Sequence, residues 1–458
     1  RHGLNSYWFF DQQHYGVDAL VANPIGESWL NIDRPADRQK TIESMPLDDV
    51  SQKALYALIT STKDWLADKT LEEKVAYLRS KSYEAYLRED CGVPESVRLM
   101  LRNRAHGLWA VGYDALSALA AAASGEPGTT TLGLDDYLWG SEEEEEPYIF
   151  HFPDGNASIA RILVRALIPE AASGHTMDDI VTARVNYEQL DNAAHPVRLR
   201  LNATAMKVQH NAEGSVDVVY QRRSASDNTR AELLETVRGA KVIMACYNHM
   251  IPHICPDLPE DQAEAMAWPE KAPLVYANIA LRHWQAFKKA GLYHFHAVRD
   301  FWVYGSLDFP VSMPGYDFSA EPEDPIVLHL VHVPTQPGLP ARDQYREGRR
   351  QLLTMRFEDY EQHMRRQLAA MLGPFGFDFE RDVAEITVNR WPHGYAYEYI
   401  DLWDPADWGP NNGPHIVARQ PFGHIAIANS DSSAYAYVNG AIDAAWRAVN
   451  DLQPAGQS

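Results

Sequence analysis

The chain has 458 residues, 45% hydrophobic and 23% charged, with a formal charge of −22. That length allows two or three domains whose cores need no staples, and so acidic a surface excludes nucleic acid and anionic membranes as partners while steering cations inward. The three cysteines, Cys91, Cys246 and Cys255, make neither a CxxC pair nor a zinc spacing, and no run of about eighteen apolar residues marks a membrane span.

The chain opens on Arg1 without a signal peptide; the expectation is that something upstream was removed or is encoded elsewhere. The first 150 residues read mainly as helix, with apolar residues at helical spacing over Leu47–Leu66, Leu71–Leu78, Tyr83–Leu87 and Val97–Ala123. Glu142–Glu146, five consecutive glutamates, reads as a solvated loop. His151–Ser158 leads into a helix, Ile159–Leu167, that Asn156 or Ser158 would cap.

Alternation then marks strands at Val197–Leu201, Ala205–His210 and Val216–Tyr220, the last two joined by a hairpin turn at Glu213-Gly214. Val237–Cys246 is a further strand, and its unbroken apolar end predicts burial on both faces. Strands follow at Pro273–Leu281, Asp300–Leu307, Pro325–Val333 and Val383–Arg390, and helices at Arg282–Ala290 and Arg342–Leu372. After a Pro/Gly/Asn-rich loop over Pro392–Pro414 come a short strand, Gly423–Ala428, and a last helix, Ala434–Leu452. The mixed order of elements argues α/β.

Three segments carry a resemblance. The first is His151–Leu167, a glycine-containing loop running into a helix. The second is Val197–Cys246, which ends in Ala245-Cys246-Tyr247-Asn248. The third and densest joins Arg390-Trp391-Pro392-His393-Gly394-Tyr395-Ala396-Tyr397 to Pro421–Asp431 and Tyr437–Ala445. Together they resemble the flavin amine oxidase superfamily and, within it, the bacterial spermidine dehydrogenases.

The resemblance implies an FAD-binding domain of the GR2, amine oxidase-like type, incomplete at its N-terminus. It would be interleaved with a substrate domain of helices and antiparallel sheet, giving substrate-domain portions at 1–150 and 251–387 and FAD-domain portions at 151–250 and 388–458. It also implies an oxidoreductase that passes hydride from a small cationic amine, a polyamine such as spermidine, to the flavin, with a periplasmic location and the cytoplasm left open. Val208 would meet the adenine through its backbone, and Asp431 would accept hydrogen bonds from the ribityl hydroxyls. Asn439, Gly440 and Ala441 would face the ring. A glycine at a helix start permits close approach to a planar ligand, and the free N–H groups there stabilise the negative charge of a reduced ring.

Trp391 and Tyr395 would wall the pocket as water-excluding, cation-attracting faces. Trp302 and Tyr304 either do the same or pack a core. His393, in the Pro/Gly loop, either moves a proton of the substrate ammonium or bonds a backbone carbonyl. No metal site is expected. Haem b stays open as a second cofactor, since a non-covalent haem leaves no motif, whereas C-x-x-C-H is absent.

Two departures stand out. No G-x-G-x-x-G follows a strand and opens a helix, so the pyrophosphate-binding βαβ unit would lie on a second polypeptide or in a part outside this chain. The strand position where many of these oxidases carry a lysine beside the flavin holds Asn278, with Lys271 off the motif. That points to a dehydrogenase using an acceptor protein or dye in place of oxygen. Two alternatives remain: a non-catalytic subunit that kept the fold, and a related FAD enzyme acting on a porphyrin or polyene.

Overall fold

The computed structural model describes residues 2–26, 35–139, 151–223, 232–409 and 411–453; the run Glu142–Glu146 lies outside them. Its strands in chain order are β1 (Asn5–Phe10), β2 (Ala19–Ala22), β3 (Ala203–His210), β4 (Val216–Arg223), β5 (Glu232–Gly239), β6 (Val242–Met244), β7 (Ala272–Leu281), β8 (Leu292–Val298), β9 (Tyr304–Leu307), β10 (Ile326–His332), β11 (Val383–Gly394) and β12 (Ile425–Ile427). They form a seven-stranded sheet in the order β11-β7-β10-β9-β8-β1-β2, a three-stranded sheet β3-β4-β5 and a parallel pair β12-β6. In the large sheet all neighbours run antiparallel except β1 and β8.

Period-two alternation gives the large sheet two unlike faces. On β7, Val275, Ala277, Ile279 and Leu281 are buried and share a core with Phe295, Leu328, Leu330 and the helix Phe357–Leu372. That helix presents Tyr360, Met364, Leu368, Met371 and Leu372, the spacing of one apolar stripe. The opposite face is covered by the N-terminal helices, whose core takes in Leu274, Tyr276 and Val331 of β7 and β10 and whose Gly107 lies against Tyr304 of β9. There Trp8, Phe10 and Val21 pack under the N-terminal helices with Leu55, Leu78, Tyr86, Met100 and Leu119.

Several local expectations change. The N-terminal region is mostly helical, but it begins with two strands: β1 pairs with β8 nearly 290 residues away, a partner that local pattern does not reveal. Val97–Ala123 is broken, with Ala110 at φ 54° and a new helix started at Ser117, whose hydroxyl caps Ala120 N–H at 2.9 Å. Val197–Leu201 forms no strand. Its Arg198 and Arg200 reach back to Asp191, and Leu199 N–H bonds Leu190 O at 2.7 Å, so local bonds take up the groups a ladder would need.

Val237–Cys246 splits into β5, antiparallel to β4, and β6, parallel to β12. Ile243 in β6 is 40% exposed, so burial on both faces does not hold. Arg342–Leu372 divides into helices Ala341–Thr354 and Phe357–Leu372, because Asp359 accepts Arg356 N–H at 2.8 Å and restarts the helix. The strand expected to stop at Arg390 runs on to Gly394.

Candidate functional site

The site assembles where the start of β7, the end of β11 and the segment after β12 meet. Lys271, just before β7, and Asp431, in a short helical turn Ser430–Ser433, are both buried and form an ion pair. Asp431 Oδ1 also accepts Tyr397 N–H at 3.0 Å, and Oδ2 accepts Asn248 N–H at 3.3 Å. Lys271 Nζ donates further to Tyr395 O at 2.8 Å and lies 5.1 Å from the centre of the Tyr247 ring. Burial draws the Lys271 pKa down against the pull of Asp431. Of the roughly four acceptor positions of a carboxylate, the protein thus engages three on Asp431.

A second clamp holds the loop after Arg390. Arg349, on the helix Ala341–Thr354, donates to Pro392 O and Lys271 O at 2.9 Å each and to Glu270 at 2.9 Å. Glu270 also takes Arg346 at 2.9 Å. The loop therefore cannot move without pulling on the Lys271 segment. Tyr395 sits at φ +60°, a left-handed conformation that costs a non-glycine residue about 1–2 kcal/mol. Lys271 holds its carbonyl, and its own hydroxyl donates to Gly107 O at 2.8 Å. Strain of that kind gathers at functional sites.

Trp391 and Tyr395 present exposed ring faces here, as do Tyr247, Tyr435 and Tyr437. The last two lie beside the helix Val438–Asp451. In its first turn Asn439 and Ala441 are exposed and Gly440 is buried. A Cβ at Gly440 would stand 2.8 Å from Tyr435 Cδ1 and 3.2 Å from Tyr435 O, so only glycine fits. No side chain caps this helix, which leaves its first N–H groups for another acceptor. Val208 stands elsewhere, on β3, with its side chain in a core shared with Val216, Met244 and Ile427. Trp302 is fully buried in the sheet core.

Three titratable groups near the knot have shifted proton affinities. His393 is pushed below its ordinary value by desolvation and by Arg349, which keeps it neutral and able to accept a proton. The Tyr395 hydroxyl is raised by burial and by Tyr276. Glu398, which accepts Ala436 N–H at 3.2 Å, is raised by burial. Sequence reading singled out His393 and Tyr395 but missed Glu398, one of 63 acidic residues. Its place one residue after Tyr397 in the densest motif was the available signal. Among the described residues no three His, Cys, Asp or Glu side chains converge as metal ligands, and no helix is long and apolar enough to cross a membrane.

No protein-family model and no curated protein matches the chain. Among solved structures, wild-type putrescine oxidase bound to putrescine aligns at a TM-score of 0.50 and 16% identity, covering 98% of this chain and 81% of that one. Cyclohexylamine oxidase from Brevibacterium oxydans IH-35A aligns at a TM-score of 0.45 and 13% identity, covering 98% and 80%. The mixed helix-and-sheet fold seen in the putrescine oxidase structure therefore runs through nearly the whole chain.

Proposed function

We propose that the chain is the greater part of an FAD-dependent oxidoreductase that oxidises an amine. The observation that carries this is the Lys271–Asp431 knot, set beside a helix that opens on Gly440 and ringed by exposed aromatic faces. These residues fit a flat ring: the rings of Trp391 and Tyr395 offer surface to it, the helix start offers N–H groups, and Gly440 lets Tyr435 pack close against that helix start. When bound, the flavin supplies the two-electron oxidation, taking hydride from the amine-bearing carbon and leaving an imine that water hydrolyses. The chain's own residues hold the substrate and its proton. Trp391 and Tyr395 exclude water, neutral His393 accepts the ammonium proton, and the Glu398 carboxyl is the second proton carrier. Asp431 fixes the loop through Tyr397 and Lys271.

The finer reading is a polyamine dehydrogenase acting on a substrate such as spermidine, with electrons passed to an acceptor protein. The charge of −22 supports a cationic substrate, and Asn278 in the oxidases' lysine position supports a non-oxygen acceptor. A further polypeptide segment carrying the dinucleotide-binding unit would complete the site. Support for it lies on the outer face of Val438–Asp451, where Ile442, Trp446 and Val449 are exposed, Trp446 by 72%, and in Ile243 on the small parallel sheet.

The test is a visible spectrum of the purified protein with any co-purifying chain, followed by spermidine-dependent dye reduction. Flavin bands and turnover that falls at least tenfold in Trp391→Ala are expected. A colourless, folded sample with every polypeptide accounted for would leave the non-catalytic subunit as the reading.

A further inference from the structure

β1 and β8 run parallel, so their carboxyl ends lie side by side at one end of the large sheet. Crevices outside the carboxyl ends of parallel strands are where open sheets receive ligands, because the chain turns outward there into loops. A cleft of about 520 Å³ opens at this point. It is lined by the turn after β1, by Arg299 directly after β8, by the approach to the helix Asp49–Thr60 and by the helix Glu95–Leu101. β9 and β10 stand between β8 and β7, so the cleft is separate from the Lys271 knot.

Most charges around the cleft are already answered. Asp11 meets His14 Nδ1 at 2.8 Å, Asp48 accepts the N–H and the hydroxyl of Ser51 at 2.9 and 2.8 Å, and Asp300 pairs with Arg366. Two are left over. Arg299 and Glu95 are both exposed and both line the cleft, and the side chain of neither has a hydrogen-bond or ion-pair partner among the described residues. An unmatched guanidinium and an unmatched carboxylate thus share one space without reaching each other. Arg299 also sits at φ +64°, a backbone conformation that non-glycine residues seldom adopt and that gathers at ligand clamps.

Much of the remaining lining is apolar. Pro46, Leu47 and Leu99 are half-buried there. Tyr15 adds a ring held edge-on against Phe10 at 4.9 Å, and the Arg299 guanidinium lies close enough to act on its hydroxyl. Burial raises the pKa of that hydroxyl, so it stays protonated and able to donate. An apolar cleft with a few convergent polar groups is the usual form of a small-molecule site. A singly charged ligand would answer one of the two free charges and bring nothing to the other. A zwitterion answers both through charge-assisted hydrogen bonds, and an aliphatic side chain would cover the three apolar residues.

We propose that this cleft binds a free aliphatic α-amino acid, with its carboxylate on Arg299 and the Tyr15 hydroxyl, its ammonium on Glu95 and its side chain against Pro46, Leu47 and Leu99. The site stands apart from the amine-oxidation reading: its ligand is held and not oxidised, with two strands between it and the strand that starts at the knot.

The purified protein is titrated by calorimetry with leucine, with isocaproate, the same molecule without its amine, and with glycine, which lacks the side chain. Leucine should bind at least about tenfold more tightly than either, since one lacks a charge-assisted contact and the other the apolar burial. Arg299→Asn, in which the new residue tolerates a positive φ, and Glu95→Gln should each weaken leucine at least about tenfold, with melting temperatures unchanged as the folding control. Arg299→Lys, which keeps the charge and loses the planar fork, should fall between wild type and Arg299→Asn. No heat with leucine, isocaproate binding as tightly as leucine, or leucine binding that survives Arg299→Asn or Glu95→Gln would overturn the site. None of these results bears on whether the flavin oxidises an amine at the knot.

Discussion

Replacing Lys271 with methionine keeps most of the side-chain volume and removes the charge facing Asp431. In the wild-type chain Asp431 is compensated by Lys271 and by the N–H groups of Tyr397 and Asn248, all in a buried setting. The variant keeps the two N–H bonds but strands a buried carboxylate without its cation, for which about 3–5 kcal/mol of destabilisation is expected. Tyr395 O also loses a donor, adding to that cost. At about 2–4 °C per kcal/mol for domains of 150–250 residues, Lys271→Met should melt at least about 6 °C below wild type by differential scanning calorimetry. Adding Asp431→Asn removes the stranded charge but keeps an acceptor for Tyr397 N–H, and should recover about 2 kcal/mol of the loss. A single variant within 1 °C of wild type, or a double variant no more stable than the single, would refute the knot as the anchor of the site.

Acid should destabilise the protein in a defined window. His106 is depressed to about 3 and His294 and His332 to about 4, in each case chiefly by burial. These groups are neutral when folded and protonated when unfolded below pH of about 6.5, so stability is fully present above that value. It is lost as pH falls from there toward 4, by about 1.4 kcal/mol per pH unit for each histidine. Urea midpoints across this range should drop more gently in His294→Gln, and an unchanged slope would contradict the burial of His294. A Cβ at Gly305 would fall 2.2 Å from Phe295 Cε1 and 2.8 Å from Leu330 Cδ2 in the sheet core; Gly305→Ala should cost about 1–3 kcal/mol in urea unfolding. Gly440→Val should lower the flavin retained through gel filtration at least tenfold while leaving the far-ultraviolet dichroism unchanged; full retention would remove the first turn of Val438–Asp451 from the flavin site.

Short-range signals were the ones the sequence made legible. Leu71–Arg79 was visible from its apolar spacing, and Thr70 and Glu73 close it with a reciprocal cap. The hairpin at Glu213-Gly214 was visible because Gly214 takes the positive φ such a turn needs. The segment from Arg390 to Asp431 could be picked out because its chemistry is clustered in a short stretch. Lys271 lies off the strand position that the resemblance marks, and only the fold brings it across 160 residues of sequence to Asp431. β1 was unreadable because its parallel partner, β8, lies nearly 290 residues further along the chain.

Anaerobic titration of the purified protein with an amine, watched in the visible spectrum, tests the central claim most directly. The account predicts an oxidised flavin band that bleaches in proportion to the amine added and returns with an artificial electron acceptor. A flavin-free protein in a sample whose polypeptides are all accounted for, or a bound flavin that no amine reduces, would contradict it.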